Sequence, residues 1–143
     1  FMGLVGSEMC IRDRLKRNTS QIKMKKSFYD LVSEASTDVK EIDIFQLKHL
    51  IDSEYNFHLI DIREDNELNS GKIKKALHIG RGILDREIES HISDRSDEIV
   101  LYCAGGVRSI LGAKTLQDMG YQKVFSLRGG ISDWINSGFD LNE

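Results

Sequence analysis

The run Glu98-Ile99-Val100-Leu101-Tyr102 stops at a cysteine, and two glycines then lead into a stretch with helical spacing. It is the most strand-like apolar run in the chain. Beyond it, Ser109, Gly112, Ala113, Leu116 and Met119 share one helical face, and Gly120 is placed to end that helix. A buried strand that passes through a short loop into a helix is half of a crossover unit, so the next strand is expected to lie parallel to the first. This feature constrains the fold more than any other.

The flanking sequence repeats the alternation. Val39 to Ile42 reads as a short strand. Asp43 with Gln46 forms a capping box ahead of Ile44, Leu47 and Ile51 at helical spacing. Phe57 to Ile62 reads as a buried strand that ends in the charged cluster Arg63-Glu64-Asp65 and a polar turn around Gly71, and a short strand follows near Leu77 to Ile79. Leu84, Ile88 and Ile92 mark a helix, Val124 to Leu127 another strand, and Gly129-Gly130 a turn into a last short helix carrying Trp134 and closed by Gly138. The expected fold class is therefore three-layer α/β, with a central, mainly parallel sheet of about five strands and helices on both faces.

Composition narrows the function classes. The 143 residues are 40% apolar and 30% charged, with no apolar run near membrane-spanning length, which points to one globular domain and away from membrane or disordered classes. A net charge of -3 from 20 basic and 23 acidic residues, well mixed, lacks the basic stripe of a nucleic-acid binder. Two cysteines, Cys10 and Cys103, make neither a disulfide framework nor a paired metal-ligand set, and a reducing, cytoplasmic home is expected. The chain has no proline. Residues 1–14, FMGLVGSEMCIRDR, fit neither a signal peptide nor an amphipathic period and resemble translated sequencing-adapter read-through. Residues 15–38 read as an extension with a short amphipathic helix over 24–36, and residues 39–143 as the domain proper.

The chemistry is expected at Cys103, because open α/β sheets bind ligands beyond the carboxyl ends of their strands. In Cys103-Ala104-Gly105-Gly106-Val107-Arg108 the glycines let the backbone curl with its N–H groups inward, a nest for an anion at a helix N-terminus. A free thiol titrates at about 8.5, so a nucleophilic sulfur needs positive potential, and the helix dipole and the Arg108 guanidinium are its two visible sources. The sulfur is expected to be accessible. No histidine pairs convincingly with Cys103, and His78 reads as structural.

These segments together resemble the rhodanese-like domain family over nearly all of residues 39–138. Leu59-Ile60-Asp61-Ile62-Arg63-Glu64 with Glu67 and Gly71 is similar to the family's Asp-x-Arg segment. Tyr102-Cys103 through Arg108-Ser109 is similar to its active-site loop. Gly120-Tyr121, Val124, Leu127, Gly129-Gly130, Trp134 and Gly138 match its closing signature. The resemblance implies a sulfurtransferase in which Cys103 accepts a sulfane sulfur as a persulfide and passes it to a nucleophile. It implies that residues 104–108 stabilise the outer sulfur, that Arg108 attracts an anionic donor and that Ser109 begins the helix. Asp61 and Arg63 would shape the loop as a surface ion pair. Donors would be thiosulfate or a low-molecular-weight persulfide, and acceptors a thiol, cyanide or a protein, with no metal or organic cofactor.

A non-catalytic sulfur-relay module is the alternative from another class. The fold family also includes phosphatases, in which five residues separate cysteine from arginine; here Ala104 to Val107 make four, which favours sulfur over phosphate. Where the family commonly has His-Ile-Pro-Gly-Ala after a glycine, this chain reads Gly71-Lys72-Ile73-Lys74-Lys75-Ala76, and the lysines are expected to be a solvated loop or an aid to collecting an anionic donor or acidic carrier.

Overall fold

The computed structural model describes residues 25–141. Internal contacts divide the chain into residues 1–31 and 32–143. In the described part of the first unit, Ser27 and Asp30 cap each other: the Ser27 amide donates to Asp30 Oδ2 (2.9 Å) and the Asp30 amide to Ser27 Oγ (3.1 Å). That cap starts helix α1 (Phe28–Ser36), later than the periodicity alone suggests. The adapter-like segment 1–14 lies outside the described residues, as does the Met24 start of the expected helix.

The second unit runs β1 (Lys40–Ile42), α2 (Ile44–Asp52), β2 (His58–Asp61), a 3-10 helix (Asp65–Ser70), β3 (Leu77–His78), a 3-10 turn (Arg81–Ile83) leading into α3 (Leu84–His91), β4 (Glu98–Tyr102), α4 (Arg108–Asp118), β5 (Lys123–Leu127) and α5 (Gly130–Asn136). All strand pairs are parallel, in the order β1-β5-β4-β2-β3, which makes β4 the centre of a five-stranded sheet. The fold class is the one the alternation implies. The predicted capping box of α2 forms, with the Gln46 amide donating to Asp43 Oδ1 and the Asp43 amide to Gln46 Oε1, both at 2.8 Å. Among the described residues no helix is long and apolar enough to cross a membrane.

Period-2 alternation sorts β4 between two cores. Ile99, Leu101 and Cys103 join Ile60, Ile62, Leu84, Ile88, Ala113 and Leu116 on the face covered by α3 and α4. Val100 and Tyr102 join Leu47, Leu59, Ile73, Leu127 and Trp134 on the face covered by α2 and α5. Gly112 lets α4 approach closely: a Cβ there would meet side chains of Ile62 and Leu101 at 3.1 and 3.2 Å.

The lysine-rich loop keeps the shape of a turn that favours Pro then Gly. The Ala76 amide donates to the Ile73 carbonyl (3.1 Å), with Lys74 and Lys75 between them, and Lys75 adopts φ +72°. Buried Ile73 and Ala76 fix the turn from below, so a lysine is forced into a left-handed conformation that glycine takes without steric cost. Lys72 is not solvated as a free cation, since its Nζ donates to the Ala76 carbonyl at 2.7 Å. Lys75→Gly is expected to raise stability by about 1 kcal/mol, the usual left-handed penalty, read as a higher urea midpoint; an unchanged or lower midpoint would contradict a strained Lys75.

Candidate active site

Strand β4 delivers Cys103 to the carboxyl end of the sheet, where α4 begins five residues on at Arg108. The Gly106 amide donates to Cys103 Sγ at 3.2 Å, and Ser109 Oγ lies 3.6 Å from the same sulfur. Ser109 Oγ in turn lies 2.7 Å from Ser126 Oγ on β5, and both serines are fully buried. The cysteine itself is 1% exposed. The accessible sulfur that the sequence reading expects is therefore not what is found: alternation along β4 turns the side chain inward beside Leu101, under the first turn of α4.

The last helix shapes the loop. The Ile131 amide donates to the Cys103 carbonyl (2.9 Å) and the Ser132 amide to the Ala104 carbonyl (3.0 Å), so two loop oxygens are drawn into the N-terminus of α5. Among the described residues the amides of Ala104, Gly105 and Val107 have no protein partner. This close approach needs glycine at 130, where φ is +58° and a Cβ would stand 2.4 Å from the Cys103 carbonyl oxygen. Gly106 is needed too, at φ +91°, with a Cβ 2.9 Å from the Gly129 nitrogen.

Two ion pairs hold the rim. Asp61 and Arg63 are 0% and 3% exposed, not the surface pair that the sequence suggests. Arg63 Nε lies 3.0 Å from Asp61 Oδ1 and Nη2 donates to Oδ2 at 2.7 Å, while Nη1 and Nη2 also donate to the carbonyls of Glu67 (3.1 Å) and Gly71 (2.7 Å). Burial alone would lower the Arg63 pKa; the hydrogen bonds and charge of Asp61 outweigh it and hold it above the ordinary value. The segment read as a charged cluster and a polar turn is thus a 3-10 helix braced from inside, and it presents Glu67 to the loop. Glu67 receives both Arg108 nitrogens, Nη1 to Oε1 at 2.7 Å and Nη2 to Oε2 at 2.9 Å. The Arg108 hydrogen bonds push Glu67 down to about 2, against its partial burial. Arg108 is raised, first by Glu67 and further by the nearby Cys103 sulfur.

The sequence matches the rhodanese-like domain family over residues 45–137. The chain belongs to that family. It is 35% identical over 97 residues to a putative sulfurtransferase, YtwF, of Bacillus subtilis (strain 168), covering 68% of this chain and 91% of that protein. It is 32% identical over 96 residues to a tRNA uridine(34) hydroxylase of Ehrlichia chaffeensis, covering 63% of this chain but only 35% of the hydroxylase. A solved structure from Rhodopseudomonas palustris, of unknown function and described as a possible tyrosine phosphatase, superposes with a TM-score of 0.78 at 28% identity, covering 82% of this chain and 96% of that one.

Within this rhodanese-like domain the structure brings Cys103, the 104–108 loop and Ser109 into one site, while Asp61 and Arg63 act on it from behind through the 3-10 helix. Helix α4 opens at Arg108 rather than Ser109, whose hydroxyl instead serves the sulfur. His78 Nε2 donates to the Arg63 carbonyl at 2.7 Å, a brace within the same strut. Ser126 escaped sequence reasoning, although a polar residue at an inward position of the strand Lys123–Leu127 is a visible anomaly. Glu67 was visible only as part of the resemblance; its pairing spans 41 residues. Among the described residues no group of three His, Cys, Asp or Glu side chains converges as a metal site. A cleft of about 560 Å³ lined by Phe45, Leu50, Phe57, Val100 and Phe125 contains none of the loop residues.

Gly130→Ala is expected to cost about 2–4 kcal/mol, from the left-handed φ and the clash with the loop carbonyls, measured by urea unfolding; a change under about 1 kcal/mol would contradict the tie between α5 and the loop. A carboxylate depressed on folding stabilises above its unfolded pKa of 4.5 and loses that contribution as pH falls towards its folded value of about 2. The stability gap between the wild type and Glu67→Gln should therefore be full at neutrality and close as pH falls through that window in thermal melts.

Proposed function

We propose that this rhodanese-like domain is a sulfurtransferase working through a persulfide on Cys103. The thiolate attacks the sulfane sulfur of a donor and forms a new S–S bond. The donor's own sulfur–sulfur bond breaks, and its electron pair leaves with sulfite from thiosulfate or with a thiolate from a persulfide. A thiol, cyanide or protein acceptor then attacks the outer sulfur and returns the Cys103 thiolate. Residues 104–108 supply preorganised amide dipoles for the charge on that sulfur, Ser109 supports the inner sulfur, and Asp61 with Arg63 positions the rim. The observation that carries this reading is the Gly106 amide 3.2 Å from Sγ, in a loop whose first two carbonyls are turned away into α5.

The burial of Cys103 favours a second reading, in which a partner protein delivers or collects the sulfur and the domain turns over little with small molecules. The four-residue spacing between Cys103 and Arg108 speaks against phosphate as substrate.

Incubation with thiosulfate or with a small persulfide should add the mass of one sulfur to the intact protein, and cyanide or a thiol should remove it. Cys103→Ala should lose both steps. Sulfur added without release to small acceptors would support the relay, and sulfur retained by Cys103→Ala would overturn the assignment of the nucleophile.

A further inference from the structure

If sulfur transfer is the reaction, the charges at the rim bear on which donor the site selects. The sequence presents Arg108 as a cation waiting for an anion, and the structure presents it already engaged. Its two terminal nitrogens lie 2.7 and 2.9 Å from the two oxygens of Glu67, and both side chains are 27% exposed, at the rim of the loop. Arg63, the other arginine assigned to the site, is likewise matched by Asp61 at 2.7 Å. These four charges cancel in pairs. Beside the Arg108 guanidinium so offset, the loop amides and the start of α4 supply positive potential that suits the single charge of a persulfide's outer sulfur.

Thiosulfate carries its charge differently. While its sulfane sulfur is attacked, its sulfonate oxygens must stay outside the new S–S bond, towards the rim, and the group leaves as a sulfite dianion. At the rim these oxygens would meet a guanidinium whose two terminal nitrogens already hold Glu67 and a carboxylate that stays ionised through the neutral range. An alkyl persulfide brings no sulfonate there. The attacking thiolate takes its outer sulfur, and the proton that sulfur carried passes to the departing thiolate, so the products are the Cys103 persulfide anion and a neutral thiol.

Resting on the sulfurtransferase reading, we propose that Glu67 is a specificity-determining residue that neutralises Arg108 and selects donors whose departing side is an uncharged thiol over thiosulfate. Glu67 also accepts from the Glu64 amide at 3.0 Å, so a variant that keeps this bond is the cleaner probe.

The test measures the rate of sulfur loading on Cys103, by quenched single-turnover mass spectrometry, with thiosulfate and with the persulfide of mercaptoethanol, whose departing side is an uncharged thiol. In Glu67→Gln the ratio of the thiosulfate rate to the persulfide rate should rise about tenfold, the scale of removing one charge that repels an approaching anion. Glu67→Ala, which leaves neither charge nor amide, should shift the ratio the same way and keeps the proposal testable if the glutamine variant folds poorly. A merely structural role would slow both donors together. A ratio that stays put or falls while wild-type Cys103 loads normally would overturn the role of Glu67 alone. No loading of the wild type from either donor would overturn the sulfurtransferase reading and this proposal with it.

Discussion

The arrangement depends on one buried guanidinium. Arg63 lies where a charge is costly to leave unpaired, and Asp61, two residues earlier, meets it at 2.7 Å. Because the same group also binds the carbonyls of Glu67 and Gly71, the charge that folding must neutralise becomes the brace of the segment between β2 and β3. The position of Glu67 follows from that brace, and the posture of Arg108 follows from Glu67. The Asp-x-Arg pattern reaches Arg108 through this chain of contacts.

How much of this was legible in the sequence follows the range of each interaction. The strand–loop–helix passage, the Asp43–Gln46 cap and the glycine pair before Trp134 are local, and residues of those types in that order fit few alternative structures. The exposure of Asp61 and Arg63 was misjudged because a charged pair two residues apart reads as solvated unless the element that covers it is known. The pairing of Arg108 with Glu67 and the stacking of Ser126 under Ser109 join separate strands and helices, so no window of sequence contains them. Lys75 failed to show its strain for a related reason: its neighbours Ile73 and Ala76 are held by the core, and only that anchoring imposes the turn.

The buried hydroxyl pair bears on how Cys103 is kept. Ser109 Oγ has Ser126 on one side and the sulfur on the other. A hydroxyl can donate or accept, so the pair can turn its protons towards the sulfur or away from it without leaving a polar atom unmatched. Among the described residues no buried side-chain nitrogen or oxygen lacks a partner. The floor of the site is satisfied by protein groups, while the amides above it remain open.

The tie between α5 and the loop also sets an order of events in synthesis. Among the described residues the carbonyls of Cys103 and Ala104 find their donors in Ile131 and Ser132. A nascent chain that has emerged as far as α4 already carries its cysteine but lacks the groups that curl the backbone around it. Until the residues after β5 leave the ribosome and dock, those two carbonyls lack the amides that hold the curl, and the loop takes its shape with the arrival of α5.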